Sequence, residues 1–127
     1  MTKHLLIIDD EADIRRIIQV ALEEMAGWQV STAKSGKEAL VIVKTRKWDA
    51  ILLDICMPDM DGFELFEKLQ SDPEIQSIPI VLLTAKIQPS DRLRFTQMGV
   101  AGIITKPFNP ITICNQVANT LGWESLV

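Results

Sequence analysis

Short apolar runs alternate along the chain with segments of helical periodicity. Five runs predict β-strands: Leu5 to Ile8, Trp28 to Thr32, Ala50 to Leu53, Ile78 to Leu83 and Val100 to Thr105. Between these runs apolar residues recur at steps of three and four, the spacing of one helix face. Strict alternation of strands and helices requires crossover connections, so it predicts a parallel sheet with helices on both faces.

Capping residues mark where several helices begin and end. Ser35 to Glu38 has the pattern of a capping box, and Asp61-Gly62 is typical of a second helix start. A further helix is expected from about Ser90 to Met98. Asn109-Pro110 predicts the start of the last helix, with a cap and a first-turn proline.

The apolar character of each run predicts its place in the sheet. The first, third and fourth runs are almost continuously apolar, as central parallel strands are, whereas the second alternates and the fifth is weakened by Gly102. These features predict an α/β, flavodoxin-like, doubly wound (βα)5 fold with a five-stranded parallel sheet in the order 2-1-3-4-5. We expect one domain over residues 3–121 and a short tail over 122–127.

Composition excludes several classes of protein. Of the 127 residues, 47% are hydrophobic and 24% charged. The net charge is −4 and the sequence has no basic stripe to track phosphates, which argues against nucleic acid as a direct partner. The apolar runs are too short to span a membrane, and no signal peptide is recognisable. Cys56 and Cys114 do not form a disulfide framework, so the sequence predicts a reduced, cytoplasmic protein.

Reactive side chains follow four of the predicted strands. Asp9 and Asp10 end the first strand, Asp54 the third, Thr84 the fourth and Lys106 the fifth. In this fold, ligands bind at the carboxyl ends of the strands, between the first and third. Clustered carboxylates repel one another unless a cation intervenes, and their hard oxygens suit Mg²⁺. Together with an ammonium and a hydroxyl, they favour a site that forms an aspartyl phosphate.

Each of these residues also has a simpler interpretation when taken alone. Asp9 and Asp10 would cap the first helix, Thr84 would bond to nearby backbone, and Lys106 would be solvated. The combination, in this order at successive strand ends, favours the reactive site over four unrelated structural roles.

The motifs at these strand ends together resemble one family, the receiver domain of bacterial two-component response regulators. They are D-D at 9–10, D-x-x-M-P-x-M-D-G at 54–62, T-A at 84–85 and K-P-F at 106–108. The resemblance extends from Lys3 to Leu121. It implies a phosphoacceptor response regulator in a phosphorelay. A sensor histidine kinase or a histidine phosphotransfer protein would donate the phosphoryl group, and the chain would turn over no outside substrate.

The resemblance also implies a role for each site residue. Asp54 is the expected phosphoacceptor, Thr84 the hydroxyl that moves towards the phosphoryl group, and Lys106 the cation that pairs with it. The expected Mg²⁺ ligands are Asp9, Asp10, Asp54 and the backbone carbonyl of Cys56. The peptide bond between Lys106 and Pro107 is usually cis in this family.

Phosphorylation in such domains is expected to change a protein-binding face made of the fourth helix, fifth strand and fifth helix. A downstream protein would bind there, and the resemblance leaves open a phosphorylation-dependent dimer. Many receivers carry Tyr or Phe three residues before the lysine, where this chain has Ile103. We therefore expect the switch to depend on Thr84 and backbone shifts, not on rotation of an aromatic ring.

Three rival functions fit the sequence less well. A haloacid dehalogenase-like phosphatase carries D-x-D at its first strand, whereas the candidate nucleophile Asp54 follows the third. A flavodoxin-like cofactor carrier needs a phosphate-binding loop, but the first loop here is Asp9-Asp10-Glu11 without glycine. A receiver kept only as an unphosphorylated interaction module would not need the complete set of acids, threonine and lysine.

Overall fold

A computed structural model of the chain describes residues 2–55, 57, 61–85 and 89–123. Its strands are β1 His4–Ile8, β2 Gln29–Ala33, β3 Ala50–Asp54, β4 Ile80–Thr84 and β5 Gly102–Thr105. Its helices are α1 Ala12–Ala26, α2 Gly36–Ile42, α3 Gly62–Gln70, α4 Pro89–Met98 and α5 Ile113–Leu121.

The strands form one parallel sheet in the order β2-β1-β3-β4-β5, which confirms the predicted doubly wound fold. In this sheet Asp54 pairs in register with Leu83, and Thr84 pairs with Thr105. Because all strands run the same way, the residues that follow β1, β3, β4 and β5 meet at one edge, which we call the carboxyl edge.

Each face of the sheet has its own apolar core, because successive side chains of a strand point to opposite faces. Leu6 and Ile8 of β1 contribute to a core covered by α2, α3 and α4. Leu5 and Ile7 contribute to the other core, which α1 and α5 cover. Helices therefore cover both faces, as the alternation of strands and helices predicts.

Two predicted helix starts are confirmed at the level of single hydrogen bonds. The Ser35 hydroxyl accepts the amide of Glu38 at 3.1 Å, and the Asp61 carboxylate accepts the amide of Phe63 at 2.8 Å. Gly27, which directly follows α1, has a φ of 70°, a left-handed conformation that glycine adopts without strain.

The predicted start of the last helix is wrong by about one turn. Residues 109–112 form a turn, and α5 begins at Ile113. The Asn109 side chain accepts the amide of Ile111 at 2.8 Å, and its carbonyl accepts the amide of Ile113 at 3.0 Å. Asn109 therefore closes a tight turn that leads into the helix.

The fourth and fifth strands each begin two residues later than predicted, at Ile80 and Gly102. The amide of Ile78 donates to the carbonyl of Ile75 at 2.9 Å, which keeps the chain before Pro79 in a turn. These shifts leave the carboxyl ends of both strands in place.

Gly62 allows α3 to start against the backbone that follows Asp54. Its amide donates to the carbonyl of Ile55 at 3.1 Å. A Cβ atom added at Gly62 would lie 2.5 Å from the Cα of Ile55, closer than any side chain can approach. Glycine is therefore required for this close approach of α3 to the end of β3.

The three tryptophans lie at the opposite, amino edge of the sheet. Trp28 immediately precedes β2, Trp48 lies two residues before β3, and both are buried. Trp123, which follows α5, meets Trp28 edge-on with ring centroids 5.2 Å apart. The ammonium of Lys3 lies 4.8 Å from the centre of the Trp123 ring.

None of the helices among the described residues is long and apolar enough to cross a membrane. The expected tail, 122–127, includes residues 124–127, which lie outside the described residues. The boundaries of 3–121 for the domain therefore stay a prediction.

Candidate functional site at the carboxyl edge

The buried polar and charged residues of the described chain all lie at the carboxyl edge. Asp9 is 0% exposed, and Asp54 and Thr84 are each 4% exposed. Burying a carboxylate is costly unless it is paired or binds a cation. Their concentration at one edge therefore indicates a site and not a requirement of the core.

Three carboxylates converge at this edge. One oxygen each of Asp9, Asp10 and Asp54 lies within 4.8 Å of the others. Asp9 and Asp54 are buried, whereas Asp10 is exposed. The cluster is thus fixed on its inner side and accessible from solvent on its outer side.

Lys106 is the cation that reaches this cluster. Its Nζ donates to Oδ2 of Asp9 at 2.8 Å and lies 3.5 Å from Oδ2 of Asp54. Oε1 of the more exposed Glu11 is 3.8 Å away. The amide of Lys106 donates to the carbonyl of Thr84 at 2.7 Å, which ties the lysine to the end of β4. The bond between Lys106 and Pro107 is cis, as the resemblance implies.

The surroundings of Lys106 favour its charged form. Burial by itself lowers the pKa of Lys106, because desolvation disfavours the ammonium. The hydrogen bond to Asp9 and the charges of Asp9, Asp54 and Glu11 outweigh burial, and the pKa of Lys106 is raised above its ordinary value of 10.5. Lys106 therefore carries a full positive charge at neutral pH.

Hydrogen bonds fix the loop between β1 and α1. Oδ1 of Asp9 accepts the amide of Glu11 at 2.9 Å, and the carbonyl of Asp9 accepts Nη1 of Arg15 at 2.7 Å. The N-cap residue of α1 is Glu11, whose side chain makes no capping bond. Neither Asp9 nor Asp10 is therefore the N-cap residue of α1.

The donor set fits a small divalent cation. Three carboxylates supply hard oxygen ligands, and Lys106, the one ammonium among the described residues that reaches them, cannot neutralise all three. Asp9, Asp10 and Asp54 are therefore suited to hold Mg²⁺. The fourth expected ligand, the backbone carbonyl of Cys56, lies outside the described residues.

Sequence reasoning missed one residue of this site. Arg15 did not stand out, because it acts on a backbone carbonyl, and every residue type offers that acceptor. Its position four residues after Glu11, within the first two turns of α1, is the one signal that would have placed it near the loop.

Ile103 lies on β5, in register with Leu82 and three residues before Lys106. Its side chain is partly buried and packs against the core beneath α3 and α4. The position therefore holds a branched aliphatic side chain that belongs to the core.

Comparison with known proteins decides the family. The sequence profile of the response regulator receiver domain matches residues 5–118. The chain belongs to the response regulator receiver family. The chain is 43% identical over 108 residues to the phosphate regulon transcriptional regulatory protein PhoB of Pseudomonas aeruginosa. The aligned residues cover 85% of this chain and 47% of that protein.

Other relatives agree with this assignment. The alkaline phosphatase synthesis transcriptional regulatory protein PhoP of Bacillus subtilis is 38% identical over 110 residues, 87% of this chain and 45% of that protein. The crystal structure of the chemotaxis protein CheY4 of Vibrio cholerae superposes with a TM-score of 0.87 at 31% identity, covering 94% of this chain and 99% of that one. The chain spans about half the length of the curated relatives it matches.

Proposed function

We propose that Asp54 accepts a phosphoryl group from the phosphohistidine of a sensor histidine kinase or of a histidine phosphotransfer protein. The observation that carries the proposal is the contact between two buried acids and one cation. Asp54 and Asp9 lie 3.5 Å and 2.8 Å from the same ammonium, that of Lys106. A buried nucleophile beside a resident cation suits transfer of a group that brings additional negative charge.

The transfer is a displacement at phosphorus. A carboxylate oxygen of Asp54 forms the new bond to phosphorus as the bond from phosphorus to the imidazole nitrogen breaks. That nitrogen keeps the electron pair, so the donor leaves as an imidazole. Such a transfer depends on positioning and charge neutralisation and needs no proton shuttle. The one histidine of the chain, His4, begins β1 at the opposite edge.

Two side chains would receive the phosphoryl oxygens. Lys106 would move its hydrogen bond from Asp9 to one oxygen, and Thr84, at the end of β4, would donate its hydroxyl to another. Asp9, Asp10, Asp54 and the backbone carbonyl of Cys56 would hold Mg²⁺, which when bound neutralises charge on the phosphoryl oxygens. The aspartyl phosphate stays on the chain until water hydrolyses it, so no outside substrate is turned over.

A groove beside the site supports docking of the phosphodonor on α1. The groove has a volume of about 450 Å³ and is lined by Ile17, Val20 and Met25 of α1 and by Ile111 of the turn before α5. Each of these four side chains is at least two-fifths exposed. One wall belongs to α1, which begins just after Glu11, and the other is formed by residues 110 and 111, which follow Lys106 by four and five residues. An apolar helix of the donor protein seated there would bring its phosphohistidine to Asp54.

The phosphorylated chain would act through the face formed by α4, β5 and α5. Lys106 directly follows β5, one of the three elements of this face. Leu93 of α4, another of these elements, is 62% exposed. We propose that a downstream protein, or a second phosphorylated copy, binds this face. With a net charge of −4 the chain itself is not suited to nucleic acid. Transfer of the phosphoryl group from the kinase to this chain would take place in the cytoplasm.

The test is phosphorylation by a small phosphodonor such as acetyl phosphate, followed by intact mass. The native protein is expected to gain one phosphoryl group in the presence of Mg²⁺ and none in the presence of a chelator. Asp54→Asn keeps the shape of the side chain and removes the nucleophile, so it should gain none. Equal labelling of Asp54→Asn would refute the assignment of Asp54.

A further inference from the structure

Asp10 is held in place through the two peptide groups that flank it. No hydrogen bond or ion pair joins its own carboxylate to any of the described residues, although that carboxylate lies in the acid cluster. The peptide before it is anchored where the Asp9 carbonyl accepts Nη1 of Arg15 at 2.7 Å. The peptide after it is anchored where the amide of Glu11 donates to Oδ1 of Asp9 at 2.9 Å. These two bonds fix the backbone on both sides of Asp10 and with it the direction of its Cα–Cβ bond.

The positive charge of Arg15 is unfavourable where it lies, because both the helix dipole and a bound metal ion would repel it. Arg15 lies near the start of α1 and folds back towards the amino end of the helix, where the helix dipole is positive. Its charge also repels any cation bound by the neighbouring carboxylates. The favourable interaction that this side chain makes in the described structure is the hydrogen bond to the Asp9 carbonyl.

We infer that Arg15 is a positioning residue for the cation site. It fixes the peptide between Asp9 and Asp10, so that the carboxylate of Asp10 stays turned towards Asp9 and Asp54. The inference rests on the proposed function, in which these carboxylates bind Mg²⁺. Arg15 acts through Asp10 and does not contact the cation.

Removing Arg15 has two effects of opposite sign on cation binding. Loss of its positive charge reduces repulsion and strengthens binding. Loss of its hydrogen bond lets the peptide before Asp10 rotate, and binding weakens because one ligand must then be ordered. The direction of the change therefore distinguishes positioning from a simple effect of charge.

The experiment measures Mn²⁺ binding by the EPR signal of free aqueous Mn²⁺, so no phosphorylation is involved. Arg15→Gln is compared with Arg16→Gln, which removes the same charge from the next residue of α1, on the wall of the apolar groove. We expect Arg15→Gln to weaken Mn²⁺ binding by about tenfold. Arg15→Lys should weaken it less, because an ammonium still supplies one donor. Arg16→Gln should leave binding unchanged or slightly tighter.

Unchanged or tighter binding by folded Arg15→Gln would overturn the inference. If Arg15→Gln does not fold, Arg15→Lys decides: weaker binding than native supports positioning, and native binding overturns it. If the native protein itself binds no Mn²⁺, the proposed cation site fails, which separates that outcome from failure of the role of Arg15.

Discussion

Lys106 is bonded more closely to Asp9 than to Asp54, at 2.8 Å against 3.5 Å. Its ammonium therefore interacts most strongly with an acid that is not the proposed nucleophile. Asp9 also accepts the amide of Glu11, so its two oxygens have different partners. Asp9 thus holds the Lys106 ammonium next to the position that a phosphoryl group on Asp54 would occupy.

Replacement of Lys106 by Met should destabilise the protein when no divalent cation is present. Two buried carboxylates would lose the ammonium that lies beside them, and removing one member of a buried ion pair costs about 3 kcal/mol. Added Mg²⁺ should stabilise Lys106→Met more than the native protein, because the metal no longer competes with the ammonium. Urea unfolding with and without Mg²⁺ measures both effects.

The matched control for this substitution is Lys44→Met, since Lys44 is an exposed lysine next to α2. It removes the same charge far from the acid cluster. A Mg²⁺-dependent stabilisation in Lys44→Met as large as in Lys106→Met would contradict a local effect at the site.

Alkaline pH should destabilise the fold in two successive ranges. Burial raises the pKa of the Cys114 thiol above 9.0, and the carboxylates raise the pKa of Lys106 above 10.5. In both cases the folded state holds a proton that the unfolded state releases, so the free energy of unfolding falls as pH rises. The loss begins near pH 9.0 for Cys114 and near 10.5 for Lys106, and below these values both contributions are complete.

Urea unfolding between about pH 8 and 11.5 separates the two groups. Cys114→Ala should remove the decrease in stability that begins near pH 9.0, and Lys106→Met should flatten the curve above 10.5. Identical pH slopes in the native protein and in both variants would show that neither group is linked to stability.

Gly62→Ala should destabilise the start of α3. The new methyl group would meet the backbone of Ile55, which cannot move without shifting the end of β3, and such overpacking costs about 1–3 kcal/mol. Gly102→Ala is the comparison, because the added group there meets the methyl group of the Thr120 side chain. A smaller loss for Gly62→Ala than for Gly102→Ala in thermal unfolding would argue against the importance of the backbone contact.

Phe95 should account for most of the stability that α4 gains by packing. It is 3% exposed and stacks on Phe63 with ring centroids 6.0 Å apart, while the guanidinium of Arg94 lies 3.4 Å from the centre of the Phe63 ring. Phe95→Ala should cost about 3–5 kcal/mol in urea unfolding. Leu93→Ala, in the same helix but largely exposed, should change stability by less than about 0.5 kcal/mol. Similar losses in the two variants would contradict this assignment.

Ile103 should keep its rotamer when the protein is activated. The side chain is part of the core beneath α3 and α4, and no ring is present at this position to move inward. Crystal structures with and without a fluoroberyllate bound to Asp54 should differ in the Thr84 side chain and the adjacent backbone. A changed Ile103 rotamer beside an unmoved Thr84 would refute this expectation.

Much of the fold could be predicted because burial determines it. Strands with both faces covered, such as β3, must be apolar up to their carboxyl ends, and that pattern can be recognised from the strand's own residues. The start of α5 could not be predicted in the same way. An asparagine that accepts an amide two residues ahead can either cap a helix or close a turn, and Asn109 closes a turn.

The candidate site could be predicted as far as topology determines it. Asp9, Asp54 and Lys106 come together because β1, β3 and β5 run parallel and end at the same edge of one sheet. Arg15 is different, since its partner is a main-chain oxygen that the sequence does not distinguish from any other. Side chains that hydrogen-bond to the backbone are therefore the part of this site that only the structure shows.

The placement of the tryptophans separates two kinds of optical measurement. Trp28, Trp48 and Trp123 all lie at the amino edge, with the full length of the sheet between them and Asp54. Their fluorescence will report global unfolding of native and variant proteins alike, with little direct response to chemistry at the acid cluster. A tryptophan introduced near the carboxyl edge would supply a second, independent signal, so that ligand occupancy and folding can be followed in one cuvette.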